Sequence, residues 1–263
     1  MNIGFLGTGK ISSAIVEAIC TSDLNDYQVF LSPRNKEKSL LLESKFNRVT
    51  RLISNQEVVD SSDIIFLALR PNIFKEVLSE LTFSKDQSVI SAIPFSTYGD
   101  LMKLISPATS VSRAIPLPTV MTHVCPIPVY KPSEKAMRVL NAIGQPFEVN
   151  SEKELHTIWT LTCLISPYYD MLNAIAKWAS NNSVDQDLAT KYVADMFNTL
   201  TNAAHQSSIP DFDNLSHHAA TPGGLNEKTA KQIQNDGAHD AYVKAAEGIL
   251  ELFPIPIIQK EFQ

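Results

Sequence analysis

Glycine is scarce in this chain, and its placement constrains the fold more than any other feature. Nine glycines occur in 263 residues, about half the usual share. Three of them, Gly4, Gly7 and Gly9, lie within the first nine positions, and Gly223 and Gly224 follow Pro222. A chain this poor in glycine keeps it where backbone geometry leaves little choice. The two clusters are therefore the points where the backbone is expected to approach a ligand.

The first cluster has the order a dinucleotide site requires. Asn2 to Leu6 is a short apolar run that reads as a buried strand. Lys10 to Cys20 carries Ile11, Ala14, Ile15, Ala18 and Ile19 at helical spacing. Between them stands Gly7-Thr8-Gly9-Lys10-Ile11-Ser12, a G-x-G-x-x-S variant of the dinucleotide fingerprint. Gly7 permits a tight turn, Gly9 lets the backbone approach a pyrophosphate, and small Ser12 allows close packing of helix on strand. The free N–H groups of Lys10 and Ile11 at the helix start would receive the pyrophosphate. After the second strand, Tyr27 to Leu31, no acid occurs as far as Lys36, where an NAD site usually places one. The run Ser32-Pro33-Arg34-Asn35-Lys36 instead offers Arg34 to a 2′-phosphate, with Ser32 and Asn35 as hydrogen-bonding neighbours. The pattern favours NADP, with NAD as the second choice.

Further apolar runs continue the alternation: Val49 to Ile53, Asp63 to Leu69, Ser88 to Ile93, Ser110 to Ile115 and Val124 to Tyr130. A helix is expected over Asn72 to Leu81, with Pro71 preset at its start. Strands alternating with helices predict βαβ units and a mostly parallel sheet, an α/β Rossmann domain. In such a sheet the ligand crevice lies at the carboxyl ends of the strands. This places Ala68-Leu69-Arg70-Pro71, Pro94-Phe95-Ser96 and Arg113 to Pro116 near the cofactor. Strand patterns stop near residue 150. Four helices are expected beyond it, over Glu152 to Ser166, Tyr168 to Asn182, Asp185 to Gln206 and Glu227 to Leu252, the last ended by Pro254 and Pro256. The expected organisation is an NADP-binding Rossmann domain over 1–150 and an all-helical substrate and dimerisation domain over 151–263. Between Glu154 and Lys177 the only charge is Asp170. Helices so apolar on every side predict a homodimer with interleaved helices, or a higher homo-oligomer.

Composition excludes other classes. With 22 basic against 28 acidic residues, net charge −6, and no basic run, the chain is not a general nucleic-acid binder. The long uncharged stretch Ala114 to Tyr130 holds four prolines, so it predicts no membrane helix. The first residues lack the pattern of a secretory signal, and the expectation is a soluble, cytoplasmic protein. Cys20, Cys125 and Cys163 form no disulfide or zinc pattern and read as buried or half-buried thiols. His217-His218 has no third ligand at a metal-binding spacing and reads as a solvated loop, so no metal is expected. Trp159 and Trp178 are expected at the helical interface.

The motifs resemble those of the pyrroline-5-carboxylate reductase family along nearly the whole chain. Gly4-Phe5-Leu6-Gly7-Thr8-Gly9-Lys10-Ile11 is similar to the family opening G-F-I-G-x-G-N-M, and Asp63 to Pro71 to its D-V-V-x-L-A-V-K-P. Arg113 to Pro116 resembles R-x-M-P, and Thr221-Pro222-Gly223-Gly224 resembles the S-P-G-G of the family's carboxylate-binding loop. The resemblance implies an oxidoreductase of proline biosynthesis that reduces a cyclic imine with NADPH or NADH. It makes Pro222, Gly223, Gly224, Leu225 and Asn226 the substrate-binding residues. A substrate carboxylate would dock on the amides of 223–225, with Asn226 capping the next helix; Thr221 and Ser96 would hydrogen-bond the reacting group. The departures fall on the substrate side. Leu225 and Asn226 replace the family's two threonines, Leu117 replaces an asparagine, and the run Thr162 to Tyr168 lacks the family's two glycines. They predict a divergent member, reducing another imine acid or the same one in an altered pocket.

Two other functions fit parts of the chain. Lys177 and Asn181 have the four-residue spacing of β-hydroxyacid dehydrogenases, in which the lysine acts as general acid or base. A non-catalytic NADP-binding sensor would also explain the replaced substrate residues.

Overall fold

The computed structural model describes residues 1–254. The expected βαβ alternation builds a single eight-stranded sheet. Its strands are β1 (Asn2–Leu6), β2 (Gln28–Leu31), β3 (Val49–Arg51), β4 (Ile64–Leu67), β5 (Ser88–Ser91), β6 (Ser110–Ala114), β7 (Pro126–Tyr130) and β8 (Gln145–Val149). They lie in the order β3-β2-β1-β4-β5-β6-β7-β8. All neighbouring pairs are parallel except β6 and β7, which pair antiparallel through Arg113↔Tyr130 and Ala114↔Val129.

Side-chain alternation in the central strands divides the core into two layers. Ile3, Phe5, Ile64 and Phe66 face one layer, which holds Ala14, Ile15, Ala18 and Ile19 of α1 (Lys10–Thr21). Phe5 and Phe66 are register partners, and their rings stack at 4.8 Å. Leu6, Ile65 and Leu67 face the other layer, against Val58 and Val59 of α3 (Asn55–Asp60), Leu78 of α4 (Phe74–Ser79) and Leu101 of α5 (Tyr98–Leu104). Central strands apolar on both faces are what a parallel sheet covered on both sides requires. Also in this region are α2 (Lys36–Lys45), a 3-10 helix at Pro118–Thr122 and α6 (Glu134–Ile143).

The details depart from expectation in places. Strand β8 reads Gln-Pro-Phe-Glu-Val, with no apolar run to announce it. Helix α4 begins at Phe74 rather than Asn72, so Pro71 lies in the turn before it. Strand character ends at Val149, but the compact unit runs on. It comprises Met1–Trp159 together with the described residues from Glu251 onward. The division therefore falls inside α7 (Glu152–Leu161) rather than near residue 150, because His156 and Trp159 pack within the first unit.

The second unit, Thr160–Leu250, is helical. After a 3-10 turn at Thr162–Leu164 come α8 (Ile165–Asn181), α9 (Gln186–Ala204), α10 (Phe212–Ala219), α11 (Leu225–Asn235) and α12 (Ala238–Leu250). Asp185 caps α9 by accepting from the amides of Asp187 and Leu188. The expected helix from Glu227 to Leu252 is two, broken at Gly237, whose φ of 76° is left-handed. His217 and His218 lie in the last turn of α10, not in a loop. Within α8 to α12 only Ala176, Ala189 and Val193 are buried. Trp178 is exposed, whereas Trp159 is buried. Cys163 is exposed as well, against the expectation for the thiols. Pro256 lies outside the described residues.

Candidate functional site

The strand order reverses between β1 and β4, and the loops after these two strands meet. Gly7 adopts a φ of 95°, and a Cβ there would stand 2.6 Å from the Ala68 carbonyl oxygen and 3.3 Å from the Leu69 side chain. Only glycine fits, on both counts. Two hydroxyls hold the turn. Ser12 Oγ, fully buried, donates to the Gly7 carbonyl at 2.6 Å, and the Gly7 amide donates to Ser32 Oγ at 2.9 Å. Thr8, also buried, lies with its hydroxyl 3.4 Å from the Ser32 hydroxyl.

Helix α1 then follows Gly9, its N-cap residue, with no side-chain cap and no acid in its first turn. A Cβ on Gly9 would meet nothing within 4 Å. The helix thus opens on free space, with its orphan N–H groups and the positive end of its dipole uncompensated. This arrangement fits a dinucleotide pyrophosphate, which the amides of Lys10 and Ile11 would hold. Lys10 is exposed and Ile11 half-buried.

The other cofactor candidates separate into surface and support. Ser32 is buried and its hydroxyl faces Gly7, so it fixes the glycine loop instead of offering itself to a phosphate. Asn35 Oδ1 accepts from the Lys38 amide and caps α2. Arg34 is exposed at the end of β2. Arg51, which sequence reasoning missed, reaches the same loop and donates from Nη2 to the Pro33 carbonyl at 3.1 Å. Register carries that signal, since Arg51 pairs with Leu31. After β4, Arg70 and Pro71 are exposed while Leu69 is buried.

Ser96 and Arg113 are both without solvent exposure. The Ser96 hydroxyl donates to the Ile93 carbonyl at 2.9 Å. It therefore supports the turn after β5 from behind and is not presented to a substrate. Arg113 turns inward to Glu152 and His156, at 2.5 and 2.8 Å from Nη1. The i,i+4 pair of Glu152 and His156 on α7 is the sequence signal that could have announced this cluster.

The second glycine cluster is described within its own unit. Gly223 has a φ of 73°, and Gly224 is the N-cap of α11. The Gly223 amide donates to Glu227 Oε2 at 2.7 Å, and the Gly224 amide to the Thr221 carbonyl at 2.8 Å. Glu227 is held in turn by Lys231, which together with the Gly223 amide keeps its carboxyl below the usual range. Two of the three amides expected to receive a substrate carboxylate are thus occupied from within the loop. Asn226 does not cap α11; its amide donates to the Ala219 carbonyl at 3.0 Å. Pro222 and Leu225 are exposed. Lys177 and Asn181 are exposed on α8, Asn181 being its last residue. Among the described residues no cluster of three or more His, Cys, Asp or Glu suits a metal, and no helix is long and apolar enough to cross a membrane.

Burial, and then the nearby Arg113 charge, push the His156 imidazole down to about 4, against a partial upward pull from a hydrogen bond to the Ser96 backbone. Neutral His156 belongs to the folded state, while the unfolded chain takes up its proton near pH 6.5. Stability from this residue is complete above pH 6.5 and falls as pH drops toward 4, by up to about 3 kcal/mol. Urea melts at pH 7 and pH 4 are expected to show this loss in the wild type and a smaller one in His156→Gln. Equal losses in both would refute it.

Comparison with known proteins adds family context to this geometry. Residues 2–94 match the family model described as NADP oxidoreductase, coenzyme F420-dependent. The chain is 26% identical over 265 residues to the pyrroline-5-carboxylate reductase of Escherichia coli strain K12, covering 95% of this chain and 96% of that one. Its fold is similar to the 1-pyrroline-5-carboxylate reductase of Streptococcus pyogenes, with a TM-score of 0.83, 20% identity, and coverage of 95% and 97%. It is also similar to the Plasmodium falciparum pyrroline carboxylate reductase solved with NADP bound, at a TM-score of 0.82, 17% identity, and coverage of 95% and 96%. The chain is thus similar along nearly its whole length to pyrroline-5-carboxylate reductases, in sequence at 26% identity and in fold, while the family model it matches covers the glycine-turn region alone.

Proposed function

We propose that this chain is an NADPH-dependent oxidoreductase acting on a C=N bond, reducing a cyclic imine as in the conversion of pyrroline-5-carboxylate to proline. The observation that carries the reading is the uncapped start of α1, set at the strand-order reversal by a turn that only Gly7 can make. The names of the full-length relatives supply the reaction class. The bound nicotinamide would supply the hydride. The chain's own residues bind and orient: the amides of Lys10 and Ile11 take the pyrophosphate, and Arg34 takes the 2′-phosphate. An imine nitrogen protonated in solution needs no strong general acid, so positioning carries most of the barrier reduction.

The first test is fluorescence titration with NADPH and NADH, followed by NADPH oxidation with pyrroline-5-carboxylate and a panel of cyclic imines and 3-hydroxy acids. Preference for NADPH is expected, and Arg34→Ala is expected to weaken NADPH binding roughly tenfold or more while leaving NADH nearly unchanged. No affinity for either nucleotide would remove the reading. Binding without turnover on any substrate would favour a sensor.

The substrate itself is proposed to be met differently from the family pattern, because Glu227 already holds the Gly223 amide. An anionic substrate docking there would have to displace one carboxylate with another. Glu227→Ala is expected to lower KM for pyrroline-5-carboxylate roughly five- to tenfold with little change in NADPH affinity. An unchanged KM would mean that this loop does not receive the substrate carboxylate.

The second unit supports a homodimer. Its helices carry Leu188, Tyr192, Leu200 and Val243 exposed, and only three small or medium side chains of α8 to α12 are buried. A helical unit with so little core of its own is completed by a second copy. Sedimentation equilibrium is expected to give twice the chain mass of 29.1 kDa, and a monomer would refute it.

A further inference from the structure

A buried ionic cluster at the carboxyl ends of β5 and β6 has no part in the pyrophosphate site. Arg113 is without solvent exposure. Its Nη1 donates to Glu152 Oε1 at 2.5 Å and to His156 Nε2 at 2.8 Å, and its Nη2 to the Ile93 carbonyl at 3.4 Å. The guanidinium lies 5.5 Å from the Trp159 ring centre. Phe253 stacks on His156 at 4.8 Å and packs on Phe95 at 4.7 Å. Every one of these residues belongs to the first unit.

Stability alone is a poor reason to keep such a cluster. A buried ion pair is often matched or bettered by apolar side chains of the same volume. The Arg113 Nε–H is also buried with no hydrogen-bond partner, which adds a cost. What the three polar residues share is the turn between β5 and α5. Arg113 holds the Ile93 carbonyl, His156 is hydrogen-bonded to the Ser96 backbone, and Glu152 Oε1 accepts from the Tyr98 amide at 2.5 Å. Three side chains from β6 and α7 thus pin the turn at its beginning, middle and end. The turn in return presents half-buried Pro94 and exposed Phe95, the latter in the left-handed region at a φ of 57°. A phenylalanine in that conformation persists only where its surroundings over-determine it.

We propose that Arg113, Glu152 and His156 are positioning residues that hold the 93–98 turn so that Pro94 and Phe95 buttress the nicotinamide half of the bound cofactor. The proposal rests on the cofactor reading above. If Arg34 at the end of β2 takes the adenosine end, the pyrophosphate crosses at the reversal between β1 and β4. The other half of the dinucleotide then lies over β4 and β5. His156 accepts from Arg113 at Nε2, which assigns its proton to Nδ1. A glutamine can reproduce one acceptor and one donor there, and a leucine neither.

The test uses the full chain with His156→Leu and His156→Gln. Amide hydrogen exchange over 93–98 in the unliganded protein is expected to rise roughly tenfold or more in His156→Leu and to stay near wild type in His156→Gln. On titration with NADPH, His156→Leu is expected to keep its Kd within roughly twofold while losing the emission anisotropy of the bound nicotinamide. His156→Gln is expected to retain both. Unchanged exchange in His156→Leu, or equal losses in the two variants, would overturn the clamp. Faster exchange with normal nicotinamide anisotropy would overturn its role at the cofactor. If the wild type binds no NADPH, the cofactor reading and the buttressing role fail together, and the exchange measurements alone then decide whether the clamp holds the turn.

Discussion

The first unit turns on a contact that leaves no room for a side chain. Gly7 follows β1 with its α-carbon so close to the Ala68 carbonyl that a single methyl would stand 2.6 Å from the oxygen. That closeness lets the loops after β1 and β4 share one crevice, and it aims α1 so that its uncapped end opens there. Gly4, three residues earlier on the same strand, faces the other layer of the core. A Cβ there would meet Ser62 Oγ at 2.3 Å and Val58 at 2.9 Å. The glycines of β1 and its turn therefore set how near the covering elements come, and the crevice inherits its shape from that packing.

The sequence disclosed what local pattern encodes. Apolar runs marked β1 to β7, most plainly β4 and β5, because central parallel strands are buried on both faces and read as unbroken hydrophobic segments. Strand β8 escaped notice since Gln145, Pro146 and Glu148 interrupt any such run. Helix α10 was hidden behind His217 and His218, which suit the last turn of a helix as well as they suit a loop. At the site, the glycine motif was legible as a motif, but the inward turn of Ser32 and Ser96 was not. Whether a serine faces a ligand or a neighbouring backbone depends on register, which composition does not carry. Glu152 and His156 lie 39 and 43 positions after Arg113 along the chain, and only the folded sheet brings all three to the same turn.

The two glycine clusters contrast in what they leave open. At Gly9 the helix amides have no internal partner, whereas at Gly223 and Gly224 the loop satisfies its own amides through Glu227 and Thr221. Both are glycine turns before a helix, yet one is receptive and the other closed by its own carboxylate. The difference lies in the residue three positions into the helix: Ser12 after Gly9, which bonds backward to the turn, and Glu227 after Gly224, which reaches the amide before it. The same local geometry thus leaves one helix end attractive to anions and neutralises the other.

The serine at position 12 also bears on the thermodynamics of association. A third glycine there would permit the same close packing but leave the turn without its hydroxyl tether to the Gly7 carbonyl. With the tether in place, and with Ser32 fastening the Gly7 amide, much of the conformational entropy of this turn is already lost on folding. An anion arriving at α1 then meets a preorganised host, and less of its intrinsic attraction is consumed in ordering the chain around it.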